Sequence, residues 1–222
     1  MIYSFRVETE SKIIGNVDGS AAVIRETPTL PVYEKKIREN QPVDPNLRLD
    51  CFKIQDKAKL LDVLSMATAC NTTGLLISEK FKNLISPLNL HKAQFIPIEA
   101  EYKGQIINSY YLLHLPSYTF EFLDYDTIEW GKYWPGVPAY ELVENYGKLT
   151  KADLVKLSYE YAGSLYTIAP VNKYAFKNFD HHNWDLFMIG QYDYRLRVSE
   201  RFKKTVESAN IKGVNFSELD ML

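Results

Sequence analysis

Cysteine is scarce in this chain of 222 residues: Cys51 and Cys70 are the only two, and neither sits in a metal or redox spacing. Two thiols without a partner motif suit a reducing compartment, so a cytoplasmic protein is expected. Histidine is scarce too, with four residues, and neither HExxH nor a Cys–His pattern occurs. The ten glycines are scattered: Gly74, Gly104 and Gly213 stand alone, and no glycine-rich loop offers backbone N–H groups to a phosphate. No G-x-S-x-G elbow occurs, and neither cysteine has a histidine close in sequence to serve as its base. Long apolar runs are missing; none approaches the roughly 20 residues of a membrane-crossing helix. The opening "MIYSFRVETESK" alternates as a strand does and lacks the basic start and apolar stretch of a signal peptide.

What is present points to a folded domain. Hydrophobic residues make up 46% and charged residues 24%, enough to bury a core. The net charge of −2 lacks the basic excess that neutralises nucleic-acid phosphates, so no nucleic-acid partner is expected.

The chain nearly repeats itself. "ISEKFKNLISPLNLHKAQF" (77–95) returns 121 positions later as "VSERFKKTVESANIKGVNF" (198–216) without a gap. Ser78, Glu79, Phe81, Lys82, Asn89 and Phe95 recur as Ser199, Glu200, Phe202, Lys203, Asn210 and Phe216. Ser78 and Ser199 are placed to cap a helix, and Glu79 and Glu200 to favour its dipole. Phe81, Leu84, Ile85 and Leu88 form one apolar face; Phe202, Thr205, Val206 and Ala209 form a weaker one. Pro87 closes the first helix near Ser86. Asn89 and Asn210 are expected to end the helices in the left-handed conformation. Apolar stretches flank each helix, which predicts two similar strand–helix–strand units, at about 75–98 and 195–217.

Elsewhere, strands are expected at 2–8, 47–54, 108–115, 125–130 and within "WDLFMIG" and "YRLRVS". Lys103–Gly104 suits a hairpin turn. A short helix is expected within 57–67, and 151–168 turns from helical to strand-like. Residues 31–40 carry a weak helical pattern, and "WPGVP" marks a turn. The fold class is therefore α+β: a mostly antiparallel sheet with short helices. No linker divides 1–222, which is read as a single domain.

Two places carry candidate chemistry. His181 and His182, with Asp180 and Asp185, could form a metal set, although adjacent strand residues point to opposite faces; a polar loop explains them as well. No metal or other cofactor is expected. Residues 121–146 hold six acids (Glu121, Asp124, Asp126, Glu129, Glu141, Glu144) against Lys132 alone, a net −5 that leaves about +3 elsewhere. Trp130, Tyr133 and Trp134 share that segment. Either these rings are core and the acids face water, or the segment is a docking surface that draws in a basic partner. The partner-binding candidates are Asp124, Asp126, Glu129, Trp130, Tyr133 and Trp134.

The paired motifs carry a resemblance. The strand, "SERFK", helix and "IKGVNF" of the second copy, with "TTGLLISEKFKNLI" and "AQFIPI" of the first, resemble a family of immunity proteins from bacterial polymorphic toxin systems, over residues 47–217. That resemblance implies a cytoplasmic protein, without catalysis, that binds and occludes a cognate toxin, such as a nuclease with a basic site. It carries over no functional residues. A general interaction or regulatory module is the alternative, and a metal-dependent hydrolase using His181 and His182 a more distant one.

Overall fold

A computed structural model describes residues 1–17, 23–25, 41–64, 75–115, 122–134, 141–161, 165–177, 183–190 and 193–219. The expectations for 31–40, for 135–138 and for His181 and His182 lie outside them. The chain divides into two compact units. Unit 1 holds Met1–Ser117, His182–Met188 and Arg195–Glu218; unit 2 holds Tyr118–His181, Ile189–Tyr194 and Leu219–Leu222. The reading of 1–222 as one domain does not anticipate this division. The main stretch of unit 2 lies in the chain between two stretches of unit 1, and two short stretches return to it later.

Unit 1 is built on two sheets. The larger has six strands: β2 (Val23–Arg25), β3 (Leu49–Ile54), β4 (Val63–Leu64), β5 (Leu75–Ser78), β6 (Gln94–Tyr102) and β7 (Gln105–His114), ordered β2-β3-β6-β7-β5-β4. Every pairing is antiparallel except β3 with β6. The second sheet contains β1 (Ile2–Val7), β11 (Leu186–Gly190), β12 (Asp193–Ser199) and β13 (Val214–Leu219), ordered β11-β12-β1-β13. A one-turn helix, α1 (Ser11–Ile14), follows β1. The expected hairpin turn joins β6 to β7, with Lys103 and Gly104 both at positive φ, as a type I′ turn demands. Over 57–64, the described part of the stretch where a helix is expected, none forms: Val63 and Leu64 are a buried strand at the edge beside β5.

Helices α2 (Glu79–Ile85) and α4 (Glu200–Ser208) pack on each other. Both serines cap as expected: Ser78 Oγ accepts the Phe81 N–H, and Ser199 Oγ accepts the Phe202 N–H, each at 3.1 Å. Phe81 and Phe202 are fully buried and meet edge to face at 6.3 Å, with Phe5 beside both. Ile85 and Val206, one turn on, extend this core. Helix α2 closes at Ser86, before Pro87. Asn210 takes the left-handed conformation (φ 51°), but Asn89 does not; its N–H instead donates to Asp185 Oδ2 at 2.9 Å.

Two aspartates tie these parts together. Ser78 donates its hydroxyl to Asp62 Oδ1 (3.0 Å) and its N–H to the Asp62 carbonyl (2.7 Å). Ser199 does the same with Asp185, at 2.6 and 3.0 Å. Lys80 lies 3.5 Å from Asp62, and Arg201 donates to both oxygens of Asp185. Each carboxylate then reaches to the loop after the other helix: Asp62 accepts the Lys212 N–H (2.9 Å), as Asp185 accepts that of Asn89.

Unit 2 has a three-stranded antiparallel sheet, β10-β8-β9, made of β8 (Glu129–Trp134), β9 (Glu141–Lys148) and β10 (Thr167–Pro170). Helix α3 (Lys151–Glu160) begins with a reciprocal cap: the Asp153 N–H donates to Thr150 Oγ1, and Thr150 donates its N–H back to the Asp153 carboxylate. Leu154 joins Trp130, Ile128, Leu123, Ile168 and Tyr174 in a separate core. Residues 125–127 form a turn rather than the start of the expected strand. Together the described residues make a mixed α+β fold rich in antiparallel sheet with short helices, none of them long and apolar enough to cross a membrane.

Two stability predictions follow from these contacts. Asp185→Ala removes an acceptor of four donors and is expected to cost about 2–4 kcal/mol in urea unfolding; Asp62→Ala, at a more exposed site, costs less. Burial, aided by the nearby charge of Lys92, lowers His91 from its usual value to about 4. The unfolded chain therefore takes up a proton that folded His91 refuses. Stability present above about pH 6.5 is expected to fall by about 1–3 kcal/mol as the pH drops to 4. Replacing His91 by Gln is expected to flatten that slope in acid titrations of the unfolding midpoint.

Candidate functional site

The acidic, aromatic segment forms most of the sheet of unit 2. Residues alternate along β8, so Trp130, Lys132 and Trp134 share one face and Gly131 and Tyr133 the other. Helix α3 packs on the first face through Leu154, and this decides the fate of the rings. Trp130 lies at the centre and is wholly buried, with Tyr125 stacked at 6.5 Å and Tyr174 edge-on at 6.4 Å. Its indole cannot meet a partner, so Trp130 leaves the set of docking candidates. Trp134 lies at the strand end, is 38% exposed, and meets Tyr166 edge to face at 5.2 Å. Tyr133 is half-buried on the opposite face; its hydroxyl donates to the Pro170 carbonyl, and burial pushes its pKa up.

The acids divide between the two ends of the sheet. At one end Asp124 organises its own turn, accepting from the Thr127 hydroxyl (2.8 Å) and the Asp126 N–H (3.2 Å). Asp126 is exposed and lies 3.5 Å from Lys177. Both acids line an open cavity of about 490 Å³ together with Lys148, Thr150, Lys151 and Lys177. Three lysines thus line the cavity with two aspartates, so the lining is not uniformly acidic as the segment's net charge foretells. Glu129 is exposed beside it, opposite Lys148 in the ladder, with its N–H donated to Asn172 Oδ1.

At the other end charge of one sign persists. Glu141 pairs with Trp134 across the strands and Glu144 with Lys132; both acids are exposed. The ammonium of Lys132 is drawn over the rings of Tyr161 (4.7 Å) and Tyr166 (4.2 Å). Between the acids stand Leu142, 42% exposed, and Val143, 52% exposed; Leu165, beside Tyr166, is 65% exposed. Four exposed large hydrophobic residues thus lie in unit 2, Trp134 among them, with Leu142 paired to Tyr133 and therefore on the face opposite Trp134. The sequence reading missed Leu142, Val143 and Leu165. For the first two a signal existed: neighbours on a strand face opposite ways, so in "ELVEN" one of two apolar residues must meet solvent.

Among the described residues no three His, Cys, Asp or Glu side chains come together as metal ligands. Asp185, a member of the suggested metal set, is already engaged by Ser199, Arg201 and Asn89. No protein-family model matches the chain, and no curated protein matches it either.

Iodide quenching checks this placement of the rings. In a Trp184→Phe background, the accessible fluorescence is expected to come from Trp134 and to vanish in Trp134→Phe, leaving a shielded Trp130 signal. Efficient quenching of the Trp130 emission would contradict the buried position.

Proposed function

We propose that this chain is a cytoplasmic immunity protein that binds one cognate protein toxin and covers its functional surface. The observation that carries the reading is the end of the unit 2 sheet, where Trp134 is exposed opposite the exposed Glu141, on the same face as the pair of Lys132 and exposed Glu144. The aromatic anchor supplies a contact that excludes water. The two acids, with the Lys132 ammonium held over tyrosine rings, supply attraction for a basic partner, such as a nuclease. The resemblance over 47–217 to immunity proteins of polymorphic toxin systems supports the same conclusion.

The scaffold belongs to the proposal. Residues 77–95 and 198–216 are taken as two copies of one strand–helix–strand unit. Support comes from the identical serine caps, the facing phenylalanines, and the cationic residues Lys80 and Arg201 on corresponding aspartates. A transplant tests this: replacing 79–85 by the seven residues of 200–206 is expected to keep cooperative unfolding. The same graft shifted by one residue is expected to abolish it. Loss of folding in both would end the duplication.

Co-expression with a toxin encoded beside its gene is expected to restore growth and to yield a complex on size exclusion. Glu141→Gln with Glu144→Gln is expected to slow association about tenfold at low salt, with the difference shrinking as salt rises. Trp134→Ala is expected to weaken binding at least about tenfold, chiefly through faster dissociation. Failure of rescue and of complex formation would overturn the immunity reading. Rescue that survives all three substitutions would move the contact elsewhere on the molecule.

A further inference from the structure

We infer that the duplicated unit is larger than the repeated sequence: it is a four-stranded sheet with one helix, and the second copy takes its fourth strand from residues 2–7. The inference rests on the duplication proposed above and extends it to a stretch outside the repeated sequence.

The order of strands points to it. Within the larger sheet, β4, β5, β7 and β6 are consecutive neighbours; the second sheet reads β11, β12, β1 and β13. In chain order the first copy runs β4, β5, α2, β6, β7. The second runs β11, β12, α4, β13, with no further strand after β13 among the described residues. β1 occupies the place of β7, between the strands that precede and follow the helix.

Register makes the match specific. β5 pairs with β7 antiparallel through Ile77↔Tyr111 and Leu75↔Leu113. β12 pairs with β1 antiparallel through Val198↔Tyr3 and Leu196↔Phe5. Ile77 and Val198 are already partners in the repeat, so Tyr3 stands where Tyr111 stands and Phe5 where Leu113 stands. An independent contact agrees: Lys82 lies 4.0 Å over the Tyr111 ring, and its repeat partner Lys203 lies 4.2 Å over Tyr3. Backbone conformation agrees as well. Lys92 and Gly213, equivalent in the repeat, both have positive φ, 52° and 94°, just before β6 and β13.

The direction of the ends completes the match. The Glu8 N–H donates to the Gly213 carbonyl at 2.9 Å, so the end of β1 lies beside the start of β13. The end of β13 then faces the start of β1, as the end of β6 faces the start of β7 across the Lys103–Gly104 turn. The copies differ on the other sheet face, where buried Arg197 and Ser4 replace buried Leu76 and Leu112.

The test changes connectivity and leaves composition alone. In one variant Leu222 is joined to Met1, so that residues 220–222 and 1 bridge β13 to β1 in a closed chain. In the other the closed chain is opened between Lys103 and Gly104, so that β7 leads and β6 ends the sequence. The closed chain is expected to melt several degrees higher than the parent, because joining adjacent ends restricts the unfolded chain without straining the folded one. The opened permutant is expected to unfold cooperatively with a native circular-dichroism spectrum. A closed chain that melts at or below the parent's temperature overturns the inference. So does a permutant that fails to fold while the closed chain is stable. Either failure, with the transplant of 200–206 into 79–85 still folding, removes only the role of β1 and leaves the shorter duplication intact.

Discussion

A carboxylate withdrawn from water must find donors, and in this protein two of them, Asp185 buried and Asp62 partly so, find donors on elements far apart in sequence. Asp185 has its side chain 4% exposed and collects a serine cap, an arginine and the N–H of a loop nearly a hundred residues earlier. Desolvation raises the cost of its charge, yet the hydrogen bonds from Arg201 and Ser199 and the Asn89 N–H more than offset it and hold its pKa below the usual carboxylate range. Hydrogen bonds to a charged group contribute about 1.5–3 kcal/mol each before the cost of burial. Asp62 repeats the arrangement with a lysine in place of the arginine and the Lys212 N–H in place of Asn89. The two helices are thereby fixed at their starts and at the loops beyond their ends. The aromatic cluster of Phe5, Phe81 and Phe202 fills the space that remains.

Much of unit 1 was legible because its rules are local. A serine three residues before the bonded N–H, an acid in the first turn and a phenylalanine on the buried face are sequence-adjacent facts, and both caps form where they were expected. The Lys103–Gly104 turn was legible for the same reason. What the sequence concealed is set by distant partners. Val63 and Leu64 have a helical pattern around them, but a neighbour in β5 makes them a strand. Asn89 has the chemistry of a helix terminator, but Asp185 claims its N–H first. Unit 2 has no linker at its limits to announce it; the acidic, aromatic stretch 121–146 just inside its start is the one mark it leaves, and that stretch reads as a surface rather than as a separate unit.

The docking segment was half legible. Its composition is real, but net charge over 26 residues says nothing of where a fold will send each acid. Asp126 meets Lys177, some fifty residues onward, and both aspartates line a cavity with Lys148 and Lys151. Glu144 stands opposite Lys132 in the ladder, but that lysine, the one within the segment, is diverted onto aromatic faces. Likewise Trp130 and Trp134 look equivalent in the string "EWGKYW", and four residues along a strand separate the middle of a helix-covered face from its open end.

Strand β9 exposes both Leu142 and Val143, a combination that in a flat ribbon would invite other chains to stack upon it. Its ladder with β8 is broken twice, because Val143 and Tyr146 are extra residues that no β8 residue opposes. Each extra residue bends the strand and sharpens its twist. A second molecule laid along β9 would lose register within a few residues, so the protein can keep oily side chains in water there without seeding fibrils.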